Sequence, residues 1–191
     1  MSEKQSTLFP NTSGTLNVLQ GLDHAEVEPL ALKVLQIIEP FYDRAEVAGS
    51  FRRLRAVIND LDIVVQSKEV PYHGWKNMLT VLRKEFNAVT EKQGDKLATL
   101  YLPFASSGAQ GHVQVDLYRA DPQTWGILLL VRTGSKEHNV KLCNLAISKG
   151  LRLQYSQGLT DKYGNVVAGR TEEEVFAALG MPYVVPQDRE V

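Results

Sequence analysis

Apolar side chains between residues 23 and 39 recur at helical spacing. Val27, Leu30, Ala31, Val34, Leu35 and Ile38 form one stripe, with Asp23 and Glu26 in a capping-box pattern ahead of it and Pro40 as a stop. From residue 59 to 66 the period becomes two, the mark of a strand whose alternate side chains share a face. Asp60 and Asp62 then project together, and Leu61 and Ile63 go to the opposite side. A second helix is expected over 75–86, with Trp75, Met78, Leu79, Leu82 and Phe86 at core positions. Strands over 88–91, 97–104 and 111–119 follow, the last two joined by a loop at Ser106-Ser107-Gly108-Ala109. In the third of them Val113, Val115 and Leu117 face one way, and His112, Gln114, Asp116 and Tyr118 the other.

Asp121-Pro122 reads as an N-cap with proline at the first helical position, opening a helix through Trp125 to Arg132. Thr133-Gly134-Ser135 breaks it, and a further helix over 136–149 is closed by Gly150. Short strands are expected at 151–155 and 165–167 around a turn at Lys162-Tyr163-Gly164. Thr171 and Glu174 cap a last helix ending near Gly180, and an extended tail runs from Met181 to Val191. Residues 1–22, polar and carrying Pro10, Gly14 and Gly21, read as a flexible tail. This is an α+β pattern: a sheet with packed helices over 23–120, then a small α/β unit over 121–191.

Composition narrows this only a little. At 191 residues and 43% hydrophobic, the chain has material for one domain or two small subdomains. No apolar run reaches membrane-spanning length and the N-terminus is not signal-like, so no membrane partner is expected. Cys143 is the single cysteine, which excludes an internal disulfide and a cysteine-rich zinc site. A cytoplasmic protein is expected, nucleoid-associated if bacterial. The net charge of −1 supplies no general surplus of cations for DNA, only clusters such as Arg52, Arg53 and Arg55. Weak intrinsic grip on nucleic acid follows. His24, His73, His112 and His138 lack ligand-like spacing, and Glu172-Glu173-Glu174 reads as the solvated first turn of a helix.

The chemistry concentrates at Val47-Ala48-Gly49-Ser50-Phe51-Arg52-Arg53 and the Asp60-Leu61-Asp62 that follows. A strand ending in a small-residue turn before a short helix favours an anion, typically phosphate. Two carboxylates about 5 Å apart repel by roughly 3 kcal/mol at an effective dielectric near 20. A proton, a basic side chain or a divalent cation must offset that. Next to a phosphate turn the cation is favoured, since magnesium is commonly held by one or two carboxylates plus substrate phosphates. The plainer alternative is an edge strand with two surface aspartates and a serine that caps a helix.

Gly49-Ser50-Phe51-Arg52-Arg53 with Asp60-Leu61-Asp62 resembles the catalytic motif of family X DNA polymerases, within the nucleotidyltransferase superfamily. His112-Val113-Gln114-Val115-Asp116-Leu117 and Thr133-Gly134-Ser135-Lys136-Glu137-His138-Asn139-Val140 agree with it in order and spacing, from about Asp23 to Arg189. The resemblance implies a polymerase-beta-like nucleotidyltransferase palm with a mixed sheet over 23–120, and a nucleotide-binding subdomain over 121–191. It implies a magnesium-dependent transferase for short-gap DNA repair that adds deoxynucleotides to a primer 3′-hydroxyl by two-metal-ion catalysis, with manganese as a substitute. Asp60, Asp62 and Asp116 would be its catalytic metal ligands. Gly49, Ser50 and Arg53 would hold the outer phosphates of a nucleoside triphosphate, with Gly134, Ser135 and Asn139 near its sugar and base. Its partners would be primer-template or gapped DNA.

Departures from the family pattern are visible. Val131-Arg132 replaces an aromatic pair that packs on the sugar, Gln114 replaces a basic residue, and Cys143 stands where an arginine often contacts the template base. No lyase domain, helix-hairpin-helix motif or exonuclease domain is expected within these residues. Gln5-Ser6-Thr7-Leu8-Phe9 is similar to the short peptide by which bacterial proteins dock on the sliding clamp, with Leu8 and Phe9 as apolar anchors and Gln5 at the rim. A flexible linker from there to Asp23 would span on the order of 20 Å, giving an effective concentration around millimolar on clamped DNA. The catalytic carboxylates are shared with template-independent nucleotidyltransferases acting on RNA, protein or a small molecule, and that alternative stays open. So does an ordinary tail that binds no clamp.

Overall fold

The computed structural model describes residues 16–67 and 73–190. Its first unit is built on a five-stranded sheet in the order β2-β4-β7-β6-β5. These are β2 (Tyr42–Val47), β4 (Asp60–Ser67), β5 (Val89–Gln93), β6 (Leu97–Ala105) and β7 (Gln110–Ala120). Only β4 and β7 run parallel; the other pairings are antiparallel. Two helices, α1 (His24–Ile38) and α3 (His73–Phe86), cover one face. Val27, Val34 and Ile38 of α1 and Trp75, Leu79 and Leu82 of α3 are buried against Leu61, Ile63, Val113, Val115 and Leu117. The alternation that sends those side chains inward sends Asp60, Asp62 and Asp116 to the other face. The Trp75 indole donates to the Gly94 carbonyl at 2.9 Å, so this tryptophan is a core residue as expected.

Residues 18–22, expected to belong to a flexible stretch over 1–22, are paired with the body of the fold. Val18 bridges His112 in parallel, Leu19 N–H donates to the His112 carbonyl, and Leu22 pairs with Ile58. The pair β1 (Leu22–Asp23) and β3 (Val57–Ile58) thus ties the start of α1 to the sheet. Buried Leu22 and half-buried Leu19 find apolar cover that a polar composition did not announce. Asp23 caps α1 by accepting from Ala25 N–H at 2.8 Å.

The second unit comprises α4 (Trp125–Thr133), α5 (Lys136–Ser148), α6 (Glu172–Ala178) and a small sheet ordered β10-β9-β8. The strands are β8 (Arg152–Gln154), β9 (Gly158–Thr160) and β10 (Val166–Ala168). The middle strand was not expected, and the turn at 162–164 joins β9 to β10. Helix α4 is apolar all round because it serves two cores. Trp125, Leu128 and Leu129 pack on Val64 and Tyr118 of the large sheet, while Ile127 and Leu130 pack on Leu142, Val175 and Phe176.

Asp121-Pro122 does not start that helix. Its first-turn amides are satisfied from elsewhere, Gly126 N–H by the Arg170 carbonyl and Ile127 N–H by the Gly169 carbonyl. The Asp121 carboxylate instead pairs with Lys96 at 2.8 Å. The expected tail is also fixed: residues 186–189 form a 3-10 turn and Arg189 is fully buried.

Candidate active site

Helix α2 (Gly49–Arg52) follows β2 directly, and the Ala48 amide donates to the Asp62 carbonyl at 2.7 Å. Gly49 has a φ of +60°, and a Cβ there would stand 2.3 Å from Asp62 Oδ2. Glycine is needed on both counts, conformation and close approach. The turn and the acidic strand are therefore in contact, not merely close in sequence.

In the β4–β7 register Asp62 lies opposite Asp116, and Asp60 opposite Gln114. Asp116 is buried and its oxygens are held: Thr99 Oγ1 donates at 2.6 Å and Gln114 Nε2 at 3.0 Å. The Tyr118 hydroxyl sits between Asp116 and Asp62. Burial, then the charges of Asp60 and Asp116, push the Asp62 carboxyl up to about 7. Burial, then Asp116, also raises Asp60 above the ordinary carboxylate range. Carboxylates that disfavour their own ionised form in this way are poised to take a cation. The donor set is all oxygen, which suits magnesium or manganese rather than a soft metal. The three are not closed into a cage: among the described residues, no group of three His, Cys, Asp or Glu side chains meets metal-centre geometry.

A cavity of about 950 Å³ runs between the two units over this strand. From the large sheet's side it is lined by Gly49, Ser50, Arg53, Asp60 and Asp62, and from the other by Gly134 and Asn139. Seven of the nine expected palm and nucleotide residues thus meet in one place. Asp116 lies beneath the lining, beside Asp62. Ser135 is outside it, and its hydroxyl is spent: it donates to the Arg189 carbonyl at 2.7 Å and caps α5 by accepting from His138 N–H. Asn139 Nδ2 donates to the Val131 carbonyl at 2.8 Å, leaving Oδ1 without a partner. Gln5, Leu8 and Phe9 lie outside the described residues.

Other residues of the site escaped sequence reasoning. Lys136, Val140 and Asn144 line the cavity with Cys143, and their spacing marks one face of α5 once Ser135 is known to start it. Val131 and Arg132, noted in the sequence as replacing an aromatic pair, do line the cavity, and Arg132 lies over the Tyr118 ring at 3.9 Å. Glu172 is not the solvated residue expected. It is 4% exposed and accepts from both Arg52 terminal nitrogens, at 2.8 and 2.9 Å, and from Arg189 at 2.7 Å. Burial raises its pKa, but the hydrogen bonds and charges of Arg52 and Arg189 outweigh that and hold it below 4.5. Arg52 also bonds Thr133 Oγ1, so this cluster joins α2 to the turn at 133–135 and to α6.

A mixed sheet with acidic residues on two parallel neighbours, a Gly-Ser turn against one of them and a helical unit closing the cleft is the α+β arrangement expected of a nucleotidyltransferase palm with an appended subdomain. Comparison with known proteins shows what the chain is similar to. Residues 128–190 match the DNA polymerase beta thumb. The chain is 26% identical over 183 residues to DNA polymerase lambda of Rattus norvegicus, a span of 87% of this chain and 32% of that protein. It is 26% identical over 185 residues to the DNA polymerase/3'-5' exonuclease PolX of Bacillus subtilis (strain 168), a span of 91% and 31%. The chain is thus similar to these two DNA polymerases over most of its own length, and it spans about a third of theirs. Among the described residues, no helix is long and apolar enough to cross a membrane.

Proposed function

We propose that the chain is a template-directed DNA polymerase of family X type, extending a primer 3′-hydroxyl across short gaps with deoxynucleoside triphosphates and magnesium, or manganese in its place. One observation carries this reading: Asp62 faces Asp116 across a parallel strand pair, in contact with the Gly49 turn and beside Arg53. Phosphoryl transfer asks a protein mainly for positioning and charge neutralisation. Two divalent ions, when bound, would activate the attacking hydroxyl and stabilise the leaving oxygens.

Asp60 and Asp62 would hold both ions, and Asp116 the one on the primer side. Thr99 and Gln114 orient Asp116 for that task through the two hydrogen bonds it accepts. Arg53, anchored by donating to the Thr133 carbonyl, would hold the outer phosphates, assisted by Ser50. Gly134, with no side chain, leaves room for the backbone to approach the sugar. Asn139 lies along the same wall and would approach the base of the nucleotide. In vivo the protein would work in the cytoplasm on DNA, with the peptide at residues 5–9 docking it on a sliding clamp.

The test is Asp116→Ala on gapped, recessed and single-stranded ends, with each ribo- and deoxynucleotide. Nucleotide and metal binding should persist while extension of the gapped duplex is lost. Normal extension by that variant would refute the assignment, and extension without a complementary strand would move the chain to the template-independent class.

A further inference from the structure

We propose that Glu190 is an intramolecular stand-in for substrate phosphate, occupying the guanidinium groups of Arg53 and Arg55 and leaving them only when a polyphosphate arrives. The inference rests on the phosphate role given to Arg53 above. Arg53 Nε lies 2.6 Å from Glu190 Oε1, and Arg55 Nη1 lies 3.7 Å from Glu190 Oε2. One carboxylate, from a residue 137 positions further along the chain, therefore spans two cations of the cavity wall. Glu190 itself lines the cavity that Ser50, Asp60 and Asp62 line. A guanidinium fork accepts carboxylate and phosphate oxygens in the same geometry, so the two anions compete for one subsite.

The ion pair is not what fixes this segment in place. The neighbouring Arg189 is fully buried, paired with Glu172 at 2.7 Å, and donates to the Val184 carbonyl at 2.9 Å. Its own carbonyl accepts from Ser135 Oγ. The Glu190 side chain, 35% exposed, can thus rotate away while the backbone stays. Arg53 stays too, because the Thr133 carbonyl holds its Nη1. The subsite is preformed, and the anion exchanged there sets the apparent affinity for nucleotide.

Titration calorimetry of the full chain with inorganic tripolyphosphate, and separately with a magnesium deoxynucleoside triphosphate, tests this. Glu190→Gln should bind both about two- to fivefold more tightly, the range for releasing one partly exposed ion pair. Glu190→Ala should do the same, with melting temperatures unchanged, while Arg53→Gln should weaken both. Unchanged or weaker binding by the two Glu190 variants would overturn the inference, as would no binding of either probe by any form. Primer extension separates this from the functional reading. Intact extension with no Glu190 effect removes the stand-in alone; a Glu190 effect with no extension keeps the anion subsite and removes the polymerase.

Discussion

Replacing Glu172 by glutamine tests whether the cluster joining the two units is a desolvated charge system. The carboxylate accepts four hydrogen bonds, from Arg52 Nη1 and Nη2, Arg189 Nη1 and the Tyr183 hydroxyl. Arg189 is 0% exposed and Arg52 15%. Glutamine keeps the shape but removes the charge and turns an amide donor toward donors. Breaking a buried pair in this way costs about 3–5 kcal/mol, since it strands the remaining cations. For a chain of this size that lowers the melting temperature by roughly 6–20 °C. Urea unfolding followed by the fluorescence of Trp75 and Trp125 reads both units at once. pH supplies a second arm. The folded-state pKa of Glu172 lies below its ordinary 4.5, so its contribution is complete above 4.5 and is lost as pH falls through the lower folded value. The gap between wild type and variant should therefore close in acid. A loss under about 1 kcal/mol, the worth of a surface pair, or a gap constant from neutral to strongly acidic pH, would refute the reasoning.

Three further outcomes are expected. Gly49→Ala places a methyl 2.3 Å from Asp62 Oδ2 at a φ of +60°. Incorporation should fall roughly a hundredfold, the scale of a 1 Å misplacement, while stability drops by only about 1–2 kcal/mol. Thr99→Val removes the 2.6 Å hydrogen bond to Asp116 and should lower kcat with little change in nucleotide binding; a change confined to KM would count against the positioning role. Burial, then Arg189 and Lys141, lower His138 to about 4, and neither ring nitrogen has a hydrogen-bond partner. The unfolded chain takes up that proton below its ordinary 6.5, so the contribution of His138 to stability should be lost as pH falls from there toward 4, opposite in sign to that of Asp62. His138→Phe should remove that component when its stability is compared with wild type across this window.

What was legible in the sequence was whatever local periodicity encodes. Alternation in β4 and β7 put Asp60, Asp62 and Asp116 on the faces opposite Leu61 and Val115, where the sheet has them. The register that sets Asp62 against Asp116 is a property of two strands separated by a helix and two further strands, and no local pattern carries it. Misreadings share that cause. Asp121-Pro122 has the chemistry of a cap, but carbonyls from residues 169–170 arrive from another segment and take the donors. Strand β9 is three residues long and begins at Gly158, a residue that ordinarily reads as a turn, so it carries no strand signal of its own. Glu172 sits at a helix start, where acids are ordinarily solvated; its partners are 120 and 17 residues away. Ser135 matched a family position, but the hydroxyl was needed to cap α5 and to hold residue 189.

Those distant pairings also explain how a chain of net charge −1 could still present a cation-rich cleft to an anion. Its arginines are internally compensated. Arg52 is matched by Glu46 at 2.6 Å and by Glu172, and Arg53 and Arg55 share Glu190. Of these partners, Glu172 is sealed and structural, whereas Glu190 is partly exposed and lines the cavity. Binding polyphosphate would therefore cost the exchange of one weak ion pair rather than the loss of a buried one. The sealed pair keeps α2 in register with the second unit while the open pair is exchanged. If Arg53 binds the outer phosphates as proposed, adjacent arginines, Arg52 and Arg53, would divide the work of holding the fold and holding the ligand.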